Sequence, residues 1–230
     1  IKNASDSTCG SGETVTLEQA LIRSCNIPFA MLAVEIGQDK IRAQAELMGF
    51  GDELSIPLEV TPSIYPSQMD VSQTALTGFG QFDVRASPLQ IAMVTSAIAN
   101  QGVLMTPQLI DLVVASNLNV LAQPEPKILS SPISRQTAGL LTRMMVDSVE
   151  IGVAGRAAIP SIAVAGKTGT AENGVDEPFT LWFTGFAPAE APRVVVTVVV
   201  EDGGGIGQNG TGNQLAAPIA RAVMEAVLNK

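Results

Sequence analysis

Histidine is absent from this 230-residue chain, and that absence removes more chemistry than any other feature of its composition. No Ser-His-Asp or Cys-His arrangement can be built from it, and zinc sites with imidazole ligands are excluded as well. Cysteine is scarce: Cys9 and Cys25 are the only two, too few for an all-thiolate tetrahedral site. No zinc site of either kind is therefore expected, no residue is assigned to a metal or cofactor, and acid–base chemistry near neutral pH falls to lysine, carboxylates, hydroxyls or water. Positive charge is short too, with 13 Lys and Arg against 22 Asp and Glu. A nucleic-acid surface needs a basic stripe, so nucleic acid is not an expected partner. Long apolar runs are missing. The longest uncharged stretch lies between Arg85 and Asp111 and is interrupted by Pro88, Gln90, Asn100, Gln101, Gly102 and Pro107, which suits a core helix better than a membrane span. Ile1-Lys2-Asn3-Ala4 leads into a polar stretch and does not read as a signal peptide.

What is present is apolar content for a sizeable core, 46% of residues, in a length that suits one large domain or two small ones. The two cysteines leave two readings open: buried thiols in a reducing compartment, or a disulfide in an oxidising one.

Lys167-Thr168-Gly169-Thr170 is the most informative stretch. It follows the apolar run Ile162 to Gly166, which suits a buried strand. On a strand Thr168 and Thr170 point to one face, and Lys167 to the other or to the rim. Gly169 lets a second backbone or a ligand approach closely. Two hydroxyls, a cation and an open backbone suit an extended carboxylate ligand, although the same string also serves as a plain strand end and turn. Gly166-Lys167-Thr168 imitates the tail of a phosphate-binding loop, but Ser161 stands where that loop needs its first glycine. Gly205 to Gly210 matches G-x-G-x-x-G, yet the chain has no second strand with an acidic residue some 20 positions on. A glycine-rich connection is the better reading.

The remaining elements follow from caps and periodicity. Residues 1–15 read as polar loop. Thr16-Leu17-Glu18-Gln19 is a capping box, and its short helix gives way near Ser24-Cys25-Asn26, a pattern that ordinarily serves as a cap-and-turn device. Pro28 opens a second helix with Phe29, Leu32, Ala33 and Ile36 on one face and Gly37 as its stop. Asp39 is expected to cap a third, ending at Gly49. Residues 50–83 read as loop. Ser87-Pro88 starts a helix, apolar on nearly all sides, that runs to Asn100 with Gly102 as its C′ residue. Short strands are expected over 104–121, then a linker at Pro124 and Pro126. Ser134 caps a helix with Leu140, Leu141, Met144, Met145 and Val149 buried. Phe179–Phe186 and Arg193–Val200 join the Lys167 strand in an antiparallel meander, and a final helix covers Ala216 to Leu228.

Ser24-Cys25-Asn26, the segment from Gly80-Gln81 to Pro107, Ala165 to Glu172 and Trp182 to Pro188 occur in the order found in class B penicillin-binding proteins. Over nearly its whole length the chain resembles the C-terminal part of their transpeptidase domain. The resemblance implies an α/β chain of the α+β type, the serine β-lactamase/D,D-peptidase-like fold: an antiparallel sheet flanked by helices, plus a helical subdomain. Residues 1–130 would be the mainly helical part with Ser-x-Asn; residues 131–230 would hold a helix, the meander with Lys-Thr-Gly and the closing helix. The family's sheet has five strands, two of them from the N-terminal side and one of those beside Arg193–Val200. The family's nucleophile motif, Ser-x-x-Lys, occurs at none of the serines here. The chain is thus expected to be a fragment with an incomplete sheet, inactive and aggregation-prone alone.

The implied activity is peptidoglycan D,D-transpeptidation through an acyl-serine, the same serine being acylated by β-lactams. By the resemblance, Ser24 relays a proton to the leaving amine and Asn26 hydrogen-bonds the substrate amide. Lys167 supplies positive potential, Thr168 and Thr170 bind the terminal carboxylate across Gly169, and the Thr170 N–H contributes to the oxyanion hole. The implied partners are peptidoglycan stem peptides, β-lactam antibiotics, the missing N-terminal part of the same domain, and cell-division or elongation proteins. The implied setting is extracytoplasmic, anchored to the bacterial plasma membrane by an N-terminal segment outside this chain. There a Cys9–Cys25 disulfide is expected, pinning the loop of Ser24 and Asn26. A serine β-lactamase is the competing enzyme, but it needs a deacylating base that cannot be assigned here. A non-catalytic β-lactam or muropeptide binder of the same fold is the competing non-enzyme.

Overall fold

The computed structural model describes residues 1–3, 9–10, 14–54 and 56–230; most of the expected N-terminal loop, residues 4–8 and 11–13, lies outside them. The architecture is α+β. Helix α1 (Leu17–Ile22) starts at the expected capping box, with the Thr16 side chain accepting the Gln19 N–H. Helices α2 (Asn26–Ile36) and α3 (Gln38–Leu47) follow. In α2 the buried residues are Ala30 and Ala33, whereas Ile36 is exposed. Of the expected face Ala33 is buried and Phe29 and Leu32 are half-buried, so only Ile36 is corrected; the small Ala30 and Ala33 let a second helix approach closely. That helix, α4 (Val71–Thr77), lies within the stretch read as loop. Its start was legible, because Asp70 and Gln73 form a reciprocal capping box. A Cβ at Gly78, where α4 ends, would overlap the Phe29 carbonyl and Ala33 of α2.

Helix α5 (Pro88–Ala99) is capped by Ser87, and no residue from Leu89 to Ala99 is exposed. It lies at the centre, against the sheet and α6. Strands β1 (Leu104–Met105) and β4 (Ile128–Ser130) pair antiparallel, as do β2 (Val113–Val114) and β3 (Val120–Ala122). Helix α6 (Arg135–Glu150), capped by Ser134, buries Ala138, Met145, Ser148 and Val149. Leu140, expected inside, is exposed, and Ala138 and Ser148 take the tight positions.

The main sheet has the order β5-β6-β7, all antiparallel, from β5 (Ala165–Ala171), β6 (Thr180–Ala187) and β7 (Val194–Val200). The meander is as expected, although β5 begins at Ala165 and Ile162 instead forms a bridge with Ile159. Helix α7 (Gly212–Leu228) starts a turn earlier than expected, at a Thr211–Gln214 capping box. The core lies between α7 and one face of the sheet: Phe183, Val196, Ala216, Ala217, Ala220 and Met224 pack together. On the other face Phe186 packs with Met145 of α6 and Ile98 of α5. Each buried Leu- or Phe-sized side chain contributes about 1.5–3 kcal/mol, so the sheet is held from both sides. Among the described residues no helix is long and apolar enough to cross a membrane.

Candidate functional site

The pleat decides where Lys167 goes. It pairs with Thr184, while Thr168 and Thr170 pair with Phe183 and Leu181. Thr184 faces α5, where its hydroxyl meets Thr95 at 2.6 Å, and Thr197 of β7 lies at 2.8 Å on its other side. Lys167 therefore leaves the sheet toward the helices, and its threonine neighbours belong to the α7 face. This separation matches the alternation read from the sequence. The Thr95–Thr184–Thr197 hydroxyl row beside Lys167 carries no sequence signal, because it joins three elements far apart in the chain.

At the end of its reach, Lys167 Nζ donates to Ser24 Oγ at 2.7 Å and to Thr168 O at 2.7 Å. Two motifs separated by 143 positions thus meet through one hydrogen bond. Burial of the ammonium disfavours its charged form and lowers the Lys167 pKa from 10.5 to about 8. An amine poised there can hold or release a proton near neutrality.

Ser24 reaches this point on a helix end. The Ser24 N–H donates to Leu21 O at 3.1 Å and the Cys25 N–H to Ala20 O at 2.9 Å. These two bonds form a Schellman motif, with Ser24 in the position usually held by glycine. Its φ is 55°, in the left-handed region that costs a non-glycine residue about 1 kcal/mol or more. The end of α1 is braced from outside by Val153, whose N–H donates to Ile22 O. Cys25 is buried and bonded to Cys9, with Cα atoms 6.0 Å apart; the expected cross-link is present. Asn26 opens α2. Its N–H donates to Asn3 Oδ1 at 2.9 Å, and its Nδ2 donates to Lys2 O at 2.9 Å.

The other wall is the free edge of β5. The carbonyls of Thr168 and Thr170 are engaged from outside the sheet, by Lys167 Nζ and by Gln81 Nε2 at 3.4 Å. Residues 168 and 170 are thus the ones whose main-chain groups face that edge. Gln81, which in the sequence stands only within the Gly80-Gln81 to Pro107 segment, is a side chain from the 78–83 turn that touches the strand. Ser24 and Lys167 are in direct contact, Thr168 and Thr170 line the adjoining edge, and Asn26 stands one residue beyond the disulfide. Among the described residues no cluster of carboxylates or thiols could hold a metal ion.

Residues 1–225 match the Transpeptidase family, the penicillin binding protein transpeptidase domain. The chain is 37% identical over 234 residues to the peptidoglycan D,D-transpeptidase PbpA of Mycolicibacterium smegmatis, covering 100% of this chain and 47% of that protein. Its structure is similar to the ceftriaxone acyl-enzyme complex of penicillin-binding protein A from M. tuberculosis, with a TM-score of 0.94 and 37% identity over 99% of this chain and 52% of that one. It is similar also to the D,D-transpeptidase domain of a peptidoglycan glycosyltransferase from Eggerthella lenta, with a TM-score of 0.89 and 35% identity over 100% of this chain and 56% of that one. The chain spans about half the length of these relatives.

Proposed function

We propose, from the premise that this chain belongs to the penicillin-binding protein transpeptidase family, that the protein carrying it cross-links peptidoglycan stem peptides by acyl transfer outside the cytoplasm, and that β-lactams acylate it. The observation that carries this reading is the 2.7 Å contact between Lys167 Nζ and Ser24 Oγ at the free edge of β5.

The nucleophile in this reading is a serine outside the 230 residues. Its hydroxyl oxygen attacks the carbonyl carbon of the penultimate D-Ala, and the C–N bond to the terminal D-Ala breaks. The attacking hydroxyl gives up its proton, and Ser24 passes one proton to the departing amine and is reprotonated by Lys167, so that none is gained or lost overall. The amine of a second stem then attacks the ester, the serine oxygen leaves with a proton, and a new amide remains. The Thr170 N–H, on the free edge, supplies one oxyanion donor, an interaction typically worth about 3 kcal/mol of barrier. A terminal carboxylate lying along the free edge meets the Lys167 charge from the helix side and the Thr168 and Thr170 hydroxyls from the α7 side, Gly169 allows the ligand close to the strand, and Asn26 orients the ligand amide.

The test is acylation of the intact protein by a fluorescent penicillin. A covalent label that persists for many minutes is expected. No label would contradict the reading, and rapid turnover of a chromogenic cephalosporin would replace it with a β-lactamase.

A further inference from the structure

Helix α2 begins without a side-chain cap of its own. Its N-cap residue is Cys25, whose sulfur is committed to Cys9 and makes no capping hydrogen bond. The first N–H groups of a helix need acceptors. Here the acceptor comes from far upstream: Asn3 Oδ1 takes the N–H of Asn26 at 2.9 Å and the N–H of Ile27 at 3.1 Å. The preceding residue completes the clasp, as Lys2 O takes one Nδ2 hydrogen of Asn26 at 2.9 Å. Main chain and side chain of Asn26 are therefore both oriented by two consecutive residues. Once that hydrogen is committed, Asn26 has one further N–H and its carbonyl oxygen to offer an amide ligand, in directions the clasp sets.

The disulfide cannot do this alone. It fixes where Cys25 sits, but the rotation of the next peptide plane and of the Asn26 side chain is set by the acceptors they find. Ser24 is held by other means, the Schellman bonds of α1 and the contact with Lys167. The two motif residues thus have separate supports on either side of Cys25.

We propose that Asn3 is a positioning residue of the acyl-transfer site, acting on the ligand through Asn26. This rests on the reading of Asn26 as the partner of the ligand amide. Loss of Asn3 would leave the first N–H groups of α2 without their acceptor and let Asn26 turn away from its ligand direction, while Ser24 and Lys167 stay in place.

The experiment measures the second-order rate of acylation by a fluorescent penicillin in the intact polypeptide that carries this chain. Asn3→Ala is expected to slow acylation roughly 2- to 30-fold, the usual cost of a lost helix cap expressed as a rate. Asn3→Asp keeps an oxygen at the positive end of α2 and is expected to stay within about 3-fold of the wild type. Asn3→Ala added to Asn26→Ala is expected to slow acylation no further, because a residue that acts through Asn26 has nothing left to position. Should Asn3→Ala not fold, Asn3→Gln, which displaces the amide by one methylene, carries the same expectation. Wild-type rates in Asn3→Ala, an equal loss in Asn3→Asp, or an undiminished Asn3 effect in the Asn26→Ala background would each overturn the proposal. A wild-type protein that penicillin does not acylate refutes the proposed function instead, and that result is read before any Asn3 variant.

Discussion

Strand β5 delivers Lys167 from the middle of a seven-residue register, whereas Ser24 reaches the same point on a junction between two helices. The strand wall is built by periodicity. Each β5 residue has a partner in β6, α7 lies on one face, and α5 and α6 lie on the other. The junction wall is assembled from single devices: a left-handed serine, one disulfide, and a cap donated by Asn3. Disturbing the strand wall therefore requires disturbing the core, while the junction can be altered one device at a time.

The largest effect belongs to the contact where the walls meet. Lys167→Ala is expected to slow acylation of the intact protein by about 10²- to 10³-fold, the range for removing one positioned donor, with little loss of folding. Its pH dependence sharpens this. The Lys167 pKa is lowered to about 8 by burial, so acylation that relies on its charge should fall about tenfold per pH unit above 8. The sign for stability is opposite. Below pH 8 the buried ammonium costs folding energy in full, and that cost is lifted as pH rises from about 8 to 10.5, where the unfolded chain binds more protons than the folded one.

Next come two substitutions that attack one wall each. A Cβ at Gly212 would overlap the carbonyl oxygens of Trp182 and Gly169, so Gly212→Ala should push α7 from the sheet. The expected cost is about 1–3 kcal/mol in thermal or denaturant unfolding. Cys9→Ser opens the loop closed by the disulfide, which spans 16 positions. Chain entropy sets that loss at about 3 kcal/mol. If the walls are supported separately, Cys9→Ser should slow acylation more per unit of lost stability than Gly212→Ala does. Equal ratios would break the comparison.

The smallest effect is a balance of two opposed changes. Ser24→Gly relieves about 1 kcal/mol of strain, since glycine adopts φ of 55° freely, but it takes from the buried Lys167 Nζ its 2.7 Å acceptor, and a hydrogen bond to a charged group contributes about 1.5–3 kcal/mol. A net loss of about 0.5–2 kcal/mol in denaturant unfolding is expected, and a loss above about 3 kcal/mol would show that no strain is relieved.

The strand wall was largely legible in the sequence. The apolar run before Lys167, the valines of β7 and the short turns predict the meander, and the two-residue alternation separates Lys167 from Thr168 and Thr170. The junction was legible only in part. The capping box at Thr16 and the stop near Ser24 can be read directly, but nothing in a serine announces a Schellman position that glycine usually fills. Helix α4 had a readable start in Asp70 and Gln73, and the scattered prolines and glycines of 50–83 obscured it. Ala33, Met145 and Val149 are buried as expected; the buried residues that periodicity missed, Ala30, Ala138 and Ser148, are small, and close helix packing selects size over hydrophobicity. Asn3 gives no local signal, because its partners lie 23 and 24 positions away.

On the proposed function, Ser24 and Lys167 serve a nucleophile that lies outside these residues. Proteolysis of the penicillin-labelled intact protein, followed by mass spectrometry of the acylated peptide, tests it directly. The acyl group is expected on a serine of a Ser-x-x-Lys motif beyond the 230 residues. An acyl group on Ser24, or on any other serine within them, would contradict it.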